Sequence, residues 1–286
     1  MTSAQNRDEP EKHRAIRSFV LRTGRMTAAQ SEALQTNWAQ FGLELEQGLI
    51  APEALFGRRA ELVVEIGFGM GDSLLEMAIA DPQRDFIGIE VHTPGVGRLL
   101  AGAKEHGLTN LRVYRADAIA VLNQCLPRQS IDRLQLYFPD PWPKKRHHKR
   151  RIVQQSFLDL LSTKLKPGAS LHIATDWQPY AEYCIELLEQ QALWHNNAGE
   201  GQFTEKPDFR PETKFERRGT QLGHGVWDLI FVLAKTSSSS TSSIPQPNNR
   251  ATFNGRENEG SECPVSTECK PEFGISTKES AYAKPE

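Results

Sequence analysis

From Glu61 onward, short runs rich in Val, Ile, Leu and Phe alternate with longer segments whose apolar residues recur at helical spacing. "ELVVEIG" (61–67), "RDFIGIE" (84–90), "LRVYRAD" (111–117), "IDRLQLYF" (131–138) and "ASLHIATD" (169–176) read as strands. Between them, "DSLLEMAIA" with an Asp72 cap, "PGVGRLLAGAKEHG" ending at Gly107, "AIAVLNQCL", "IVQQSFLDLLSTKL" and "WQPYAEYCIELLEQQ" read as helices. Lys166-Pro167-Gly168 reads as a turn, and "VWDLIFVLAK" (226–235) as a late strand at the sheet edge, antiparallel to its neighbour. Strands alternating with helices predict an α/β fold built on a mainly parallel sheet.

The pattern fails at both ends. Residues 1–15 and 237–286 are rich in Ser, Thr, Pro, Asn and Glu and poor in large apolar residues, so they cannot bury enough surface to offset their ordering entropy and are expected to be disordered. Residues 16–60, in which Ile16 to Leu34 hold three arginines and then a helix-like stretch, form an arm and lead-in, and residues 61–236 form the main domain. No apolar run approaches the ~18 residues that span a bilayer, and the N-terminus lacks the apolar core of a signal peptide, so the expectation is a soluble, cytoplasmic protein. Cys125 and Cys184 sit in predicted helices and Cys263 and Cys269 in the tail, with no C-x-x-C pair, so neither a metal nor a disulfide framework is expected.

Charge changes the picture more than composition does. Of 34 Lys/Arg and 36 Asp/Glu, the tail from Ser237 holds 5 and 7, which leaves 29 of each before it. A neutral domain that contains the unbroken run of Lys, Arg and His from Lys144 to Arg151 must be polarised, with one positive face suited to a polyanion.

Three motifs carry chemistry. In "VVEIGFGMGDS", Glu65 ends the first strand and Gly67, Gly69 and Gly71 follow at alternate positions, a turn that lets backbone approach a nucleotide near a helix N-terminus. Asp72 stands where a dinucleotide fingerprint has its third glycine, which weighs against NAD. Glu90 ends the second strand, where an acid accepts from ribose hydroxyls, and Asp117 ends the third, followed by Ala118, beside the base of the same nucleoside. A rim lined by Glu65, Glu90 and Asp117 repels a pyrophosphate and suits a cationic nucleoside such as S-adenosylmethionine, although each acid could instead cap a helix.

The second motif is "LYFPDPWPKKRHHKRR", at the end of the fourth strand. Pro139, Pro141 and Pro143 restrict φ and brace Asp140, which projects into the same crevice. Arg146, His147, His148, Lys149, Arg150 and Arg151 are candidate phosphate contacts, with Tyr137, Phe138 and Trp142 near enough in sequence to stack a base. The third is "ATDW" with "PETKFERRG": Asp176 ends the fifth strand, and Thr213, Lys214 and Glu216 lie in a loop bounded by Pro and Gly. These residues leave two rivals open: a methyltransferase for another acceptor, which has no use for the basic run, and a silent RNA-binding protein, which has no use for the three acids.

Taken in order, "RSFVLRTGRMT", "EIGFGMG", "GIEVHTPGVGRLL", "DA", "LYFPDPWPKKRHHKRR", "ATDW" and "TKFERRG" resemble the tRNA (guanine-N7-)-methyltransferase family of class I S-adenosylmethionine enzymes, from Arg17 to Lys235. The resemblance implies a Rossmann-like, seven-stranded sheet with helices on both faces and methylation of a guanine in the tRNA variable loop. It assigns Glu65, Glu90, Asp117 and Asp140 to the cofactor site and gives Asp140 the catalytic position. It assigns Lys144, Asp176 and the loop Thr213, Lys214, Phe215 and Glu216 to substrate, and Arg146 to Arg151 to RNA.

Overall fold

The structure, a computed structural model, describes residues 19, 24–213, 216–217 and 225–235. The two tails expected to be disordered, the start of the arm, and the candidate residues Lys214 and Phe215 lie outside the described residues. Among those described, no helix is long and apolar enough to cross a membrane.

Eight strands form one sheet: β1 (Gly42–Leu43), β2 (Leu62–Ile66), β3 (Asp85–Ile89), β4 (Leu111–Tyr114), β5 (Ile131–Tyr137), β6 (Leu165–Thr175), β7 (Trp194–Asn196) and β8 (Trp227–Leu233). Their spatial order is β1-β4-β3-β2-β5-β6-β8-β7. The pairs from β1 to β6 are parallel, whereas β8 runs antiparallel to both β6 and β7. This is a Rossmann-like sheet with a closing antiparallel hairpin. It has one strand more than the seven expected, because the two-residue β1 pairs with β4 just after a helix. Neither β1 nor β7 is long enough to show periodicity in sequence.

The helices are α1 (Ala28–Phe41), α2 (Pro52–Phe56), α3 (Asp72–Ala80), α4 (Thr93–Glu105), α5 (Ala118–Gln124), α6 (Gln155–Lys164) and α7 (Gln178–Glu189). Side chains alternate across each strand, so Leu62, Val64 and Ile66 of β2 join Leu134, Leu136, Leu171 and Ile173 in a core under α5, α6 and α7. Val63 points the other way, with Phe86 and Val113, into a second core under α1, α3 and α4. That second face turns polar over the far strands, where Gln135, His172 and Asp228 are all buried.

Local chemistry sets the element ends. Thr27 and Gln30 form a reciprocal capping box at the start of α1. The expected turn at Lys166-Pro167-Gly168 lies inside β6: the register with β5 jumps from Ile131↔Leu165 to Arg133↔Ser170, so these residues bulge out of the ladder and the strand resumes beyond them. The helix expected from Asp72 begins one residue differently, with Gly71 as its N-cap and Asp72 inside the first turn, where it pairs with Arg98 at 2.7 Å.

Candidate active site at the carboxyl ends of the strands

The turn after β2 is built on three left-handed glycines, Gly67, Gly69 and Gly71, with φ of 75°, 59° and 80°, a region costly for any residue with a Cβ. A Cβ on Gly67 or Gly69 would meet nothing within 4 Å, so the space above the turn is open. Behind it the fit is tight, since a Cβ on Gly95 of α4 would fall 1.7 Å from the Gly69 carbonyl oxygen.

Each of the three expected acids stands at this rim, in a different state. Glu90 accepts backbone N–H bonds from Gly69 (2.8 Å), Val91 (2.6 Å) and His92 (2.9 Å), and so pins the glycine turn to the end of β3. Asp117 caps α5 by accepting from the Ile119 N–H at 2.8 Å, with Ala118 the first residue of that helix. The capping alternative therefore holds for one oxygen of Asp117, and the acid keeps a second oxygen. Glu65 is 2% exposed, and its Oε2 has no hydrogen-bond partner among the described residues. Burial, and next to it the charge of Glu90, push its carboxyl up to about 8. A buried carboxyl without a partner fits a ligand that brings a positive charge, as the amino group of S-adenosylmethionine would.

β2 and β5 are neighbours, with Glu65 paired to Gln135, so the loop after β5 opens onto the same rim. Phe138 and Trp142 bracket the Pro-Asp-Pro segment with φ of 49° and 46°, backbone states that cost about 1–3 kcal/mol each and persist only where the surroundings impose them. The surroundings do. The Phe138 N–H donates to the Ala174 carbonyl at 2.8 Å, the Arg151 Nε donates to the Pro141 carbonyl at 2.9 Å, and the Arg150 guanidinium lies 4.5 Å from the centre of the Trp142 ring. Asp140 itself is exposed.

The basic run continues as a short 3₁₀ helix, Lys145–Arg150. Lys144, Arg146 and Lys149 are exposed, and His147, His148 and Arg150 are half-buried. Partial desolvation, followed by the charges of Arg146, Arg150, Lys144 and Lys149, lowers the His147 imidazole below its usual range. Arg151 departs from the expected RNA contact. It is 5% exposed, with its guanidinium over the Tyr183 ring at 4.5 Å and its Nε committed to Pro141, so it braces the Asp140 loop from inside.

Asp176 follows β6 and is exposed at the rim, beside Trp177, which is 42% exposed. Thr213 is half-buried, and its N–H donates to Glu216 Oε2 at 3.3 Å while the Glu216 N–H donates to Thr213 Oγ1 at 3.1 Å. Glu216 is only 7% exposed. Its carboxylate receives a two-pronged bond from Arg210, Nη1 at 2.7 Å and Nη2 at 3.0 Å.

Sequence reading missed Arg210 and the residues behind it. Arg210 Nη2 also donates to Asp228 Oδ2 at 2.8 Å. Asp228 Oδ1 lies 2.7 Å from His172 Nε2, and His172 Nδ1 lies 3.0 Å from the Tyr137 hydroxyl. Burial lowers the His172 pKa although Asp228 opposes it. The neutral ring then donates from Nε2 to the carboxylate and accepts the Tyr137 hydroxyl at Nδ1. The signal was present as a lone His in "SLHIAT" and a lone Asp in "VWDLIFVL", each a polar residue inside an apolar strand.

Residues 59–229 match a family model described as "Putative methyltransferase". The chain is 58% identical, over 76% of its own length and 91% of the relative's, to the tRNA (guanine-N(7)-)-methyltransferase of Alcanivorax borkumensis. It is 59% identical to the enzyme of the same name from Chromohalobacter salexigens, over 76% of this chain and 89% of that one. Among solved structures, that of the 16S rRNA methyltransferase KamB is similar with a TM-score of 0.47 and 17% identity, over 64% of this chain and 92% of that one.

Proposed function

Because the chain belongs to the tRNA (guanine-N(7)-)-methyltransferase family, we propose that it transfers a methyl group from S-adenosylmethionine to N7 of a guanine in the variable loop of tRNA, acting in the cytoplasm through a catalytic domain of residues 61–236. The observation that carries this reading is the pairing of β2 with β5, which brings the acid-lined glycine turn, the Asp140 loop and the exposed cations of the basic run to one rim.

When bound, S-adenosylmethionine supplies an electrophilic methyl group on a sulfonium. Glu65 would hold its amino group, Glu90 the ribose hydroxyls, and Asp117 with Ala118 the base. The open backbone at Gly67 and Gly69 leaves room for it. Guanine N7 carries a lone pair and no proton, so the chain needs no general base. It needs alignment, which can lower a barrier by about 7–11 kcal/mol, and a negative group where positive charge builds up on the purine. Asp140 would serve both tasks: the bracing of its loop at either end supports this role, and its carboxylate can accept from guanine N–H groups. Lys144, Arg146 and Lys149 would hold the phosphates around the target, with Asp176 and Thr213 at the edge of the base.

Labelled methyl from S-adenosylmethionine should appear in a tRNA transcript bearing a variable-loop guanosine, and chemical cleavage selective for 7-methylguanosine should cut there. Label without that cut would overturn the N7 assignment. Asp140→Ala should keep cofactor affinity within a few-fold while losing most turnover, and unchanged turnover would remove Asp140 from the mechanism.

A further inference from the structure

Two loops meet the acceptor side of the rim: the Asp140 loop after β5, and the loop that holds Thr213 and Glu216. They are far apart in sequence, yet one buried polar chain joins them. Tyr137 is the last residue of β5, directly before the strained Phe138. Its hydroxyl meets His172 on β6, His172 meets Asp228 on β8, Asp228 receives Arg210, and Arg210 forks onto Glu216. Exposure along this chain is 6%, 0%, 3%, 1% and 7% in that order. The Arg210 guanidinium also lies 5.9 Å and 6.0 Å from the Tyr137 and Phe138 ring centres, so it touches both the entry to the Asp140 loop and the anchor of the Thr213 loop.

Charge balances within the cluster. Arg210 and the exposed Lys206, 3.4 Å from Glu216, offset Asp228 and Glu216. With Arg210 forked onto it at two oxygens, Lys206 against Oε1 and the Thr213 N–H against Oε2, the Glu216 carboxylate is occupied by protein donors. A guanine edge would have to displace a buried arginine to reach it. Burying the three charges of Arg210, Asp228 and Glu216 does little for stability compared with an apolar packing of the same volume, so stability is a weak reason for this cluster.

We propose that His172, Asp228 and Arg210 are positioning residues that hold the Asp140 loop and the Thr213 loop in one register, and that Glu216 acts on methyl transfer through Arg210 rather than by contacting the guanine. This rests on the methyl-transfer reading above. Thr213 keeps a place at the base, because its side chain and backbone are set by Glu216 rather than replaced by it.

The test is a kinetic cycle on the full chain with Tyr137→Phe, Glu216→Gln and the double variant, using a tRNA transcript with guanosine or inosine at the target. Tyr137→Phe removes one hydroxyl at the far end of the chain from Glu216. It should lower kcat about threefold, with KM for tRNA and the dissociation constant for S-adenosylmethionine within about twofold of the parent. Glu216→Gln should lower kcat about tenfold or more, and the double variant should fall no further than the worse single, since both act through one connected chain. The guanosine-to-inosine rate ratio, which reads contacts to the guanine 2-amino group, should stay at its parental value in Glu216→Gln. Independent, multiplying losses in the double variant, or a collapse of that ratio, would overturn the proposal. If Glu216→Gln does not fold, Tyr137→Phe decides alone, and an unchanged kcat sinks the relay. A parent chain that binds S-adenosylmethionine but methylates no tRNA would instead overturn the functional reading, and the proposal with it.

Discussion

Two carboxylates, Glu65 on β2 and Asp228 on β8, are buried in the same face of the same sheet, 2% and 3% exposed, and they have opposite surroundings. Asp228 receives Arg210 and faces His172, so its charge is fully compensated. Glu65 Oε2 has no partner among the described residues and sits beside another acid, and its carboxyl is pushed up to about 8. A folded chain keeps a charge of the first kind for its own geometry. It tolerates a buried acid of the second kind where a ligand completes the site, and the cost is carried by the ligand-free protein.

The largest effect that separates the two lies on the partnered side. Asp228→Asn removes one of the two carboxylates bonded to the fully buried Arg210, together with the charged partner of His172, while Glu216 stays. Breaking a buried pair on one side costs about 3–5 kcal/mol, which sets the upper bound of the loss. Urea unfolding of the ligand-free protein should show that loss as a lower midpoint. A midpoint within experimental error of the parent would mean that water or another group already satisfies Arg210.

On the unpartnered side the same kind of substitution should act in reverse. Glu65→Gln removes a carboxyl that is penalised in the fold, so the ligand-free protein should melt higher. It also removes the group held to meet the cofactor's amino group, a charge-assisted bond worth about 1.5–3 kcal/mol, so calorimetry should show S-adenosylmethionine binding weakened about tenfold to a hundredfold. The stability gain depends on pH with a definite sign. Between the ordinary carboxyl value of 4.5 and the folded value near 8, the folded state holds a proton that the unfolded chain has released. The stabilising contribution of Glu65 is therefore whole below about 4.5, falls as pH rises, and is lost above about 8. Melting temperatures of parent and Glu65→Gln should converge near pH 5 and separate toward pH 8. A constant gap would mean that Glu65 is ionised throughout.

This contrast also marks what the sequence could tell. Apolar runs and helical spacing located β2 to β6, β8 and the main helices, because each buries enough surface for a pattern to show. The glycine turn and the acids at the strand ends were legible for the same reason: they stand at fixed offsets from those strands. Strand β7, the two-residue β1 and the bulge at Lys166-Pro167-Gly168 were not, since each is set by pairing partners far along the chain. Glu65 and Asp228 look alike in one dimension, as an acid within an apolar strand. Only the crossover that brings Arg210 onto β8 tells them apart, and the same holds for Arg151, which sequence placed with its exposed neighbours.

The comparison carries over to cations, where the expected effects are smallest and the readouts cleanly separable. Arg151 is 5% exposed and committed to Pro141 and Tyr183, whereas Lys144, Arg146 and Lys149 face solvent on the same run. Counterion release depends on charges that reach phosphate, so neutralising each exposed cation should flatten the log–log dependence of tRNA affinity on salt by about one, measured by titration from low to moderate salt. Arg151→Met should leave that slope at its parental value and lower the unfolding free energy by about 1–3 kcal/mol, the cost of an unsatisfied Pro141 carbonyl and a lost ring contact. A slope that drops with Arg151→Met would show that the arginine leaves its tyrosine when RNA arrives. The brace on the Asp140 loop would then be a feature of the free protein alone, and the strained Phe138 and Trp142 would need another support in the complex.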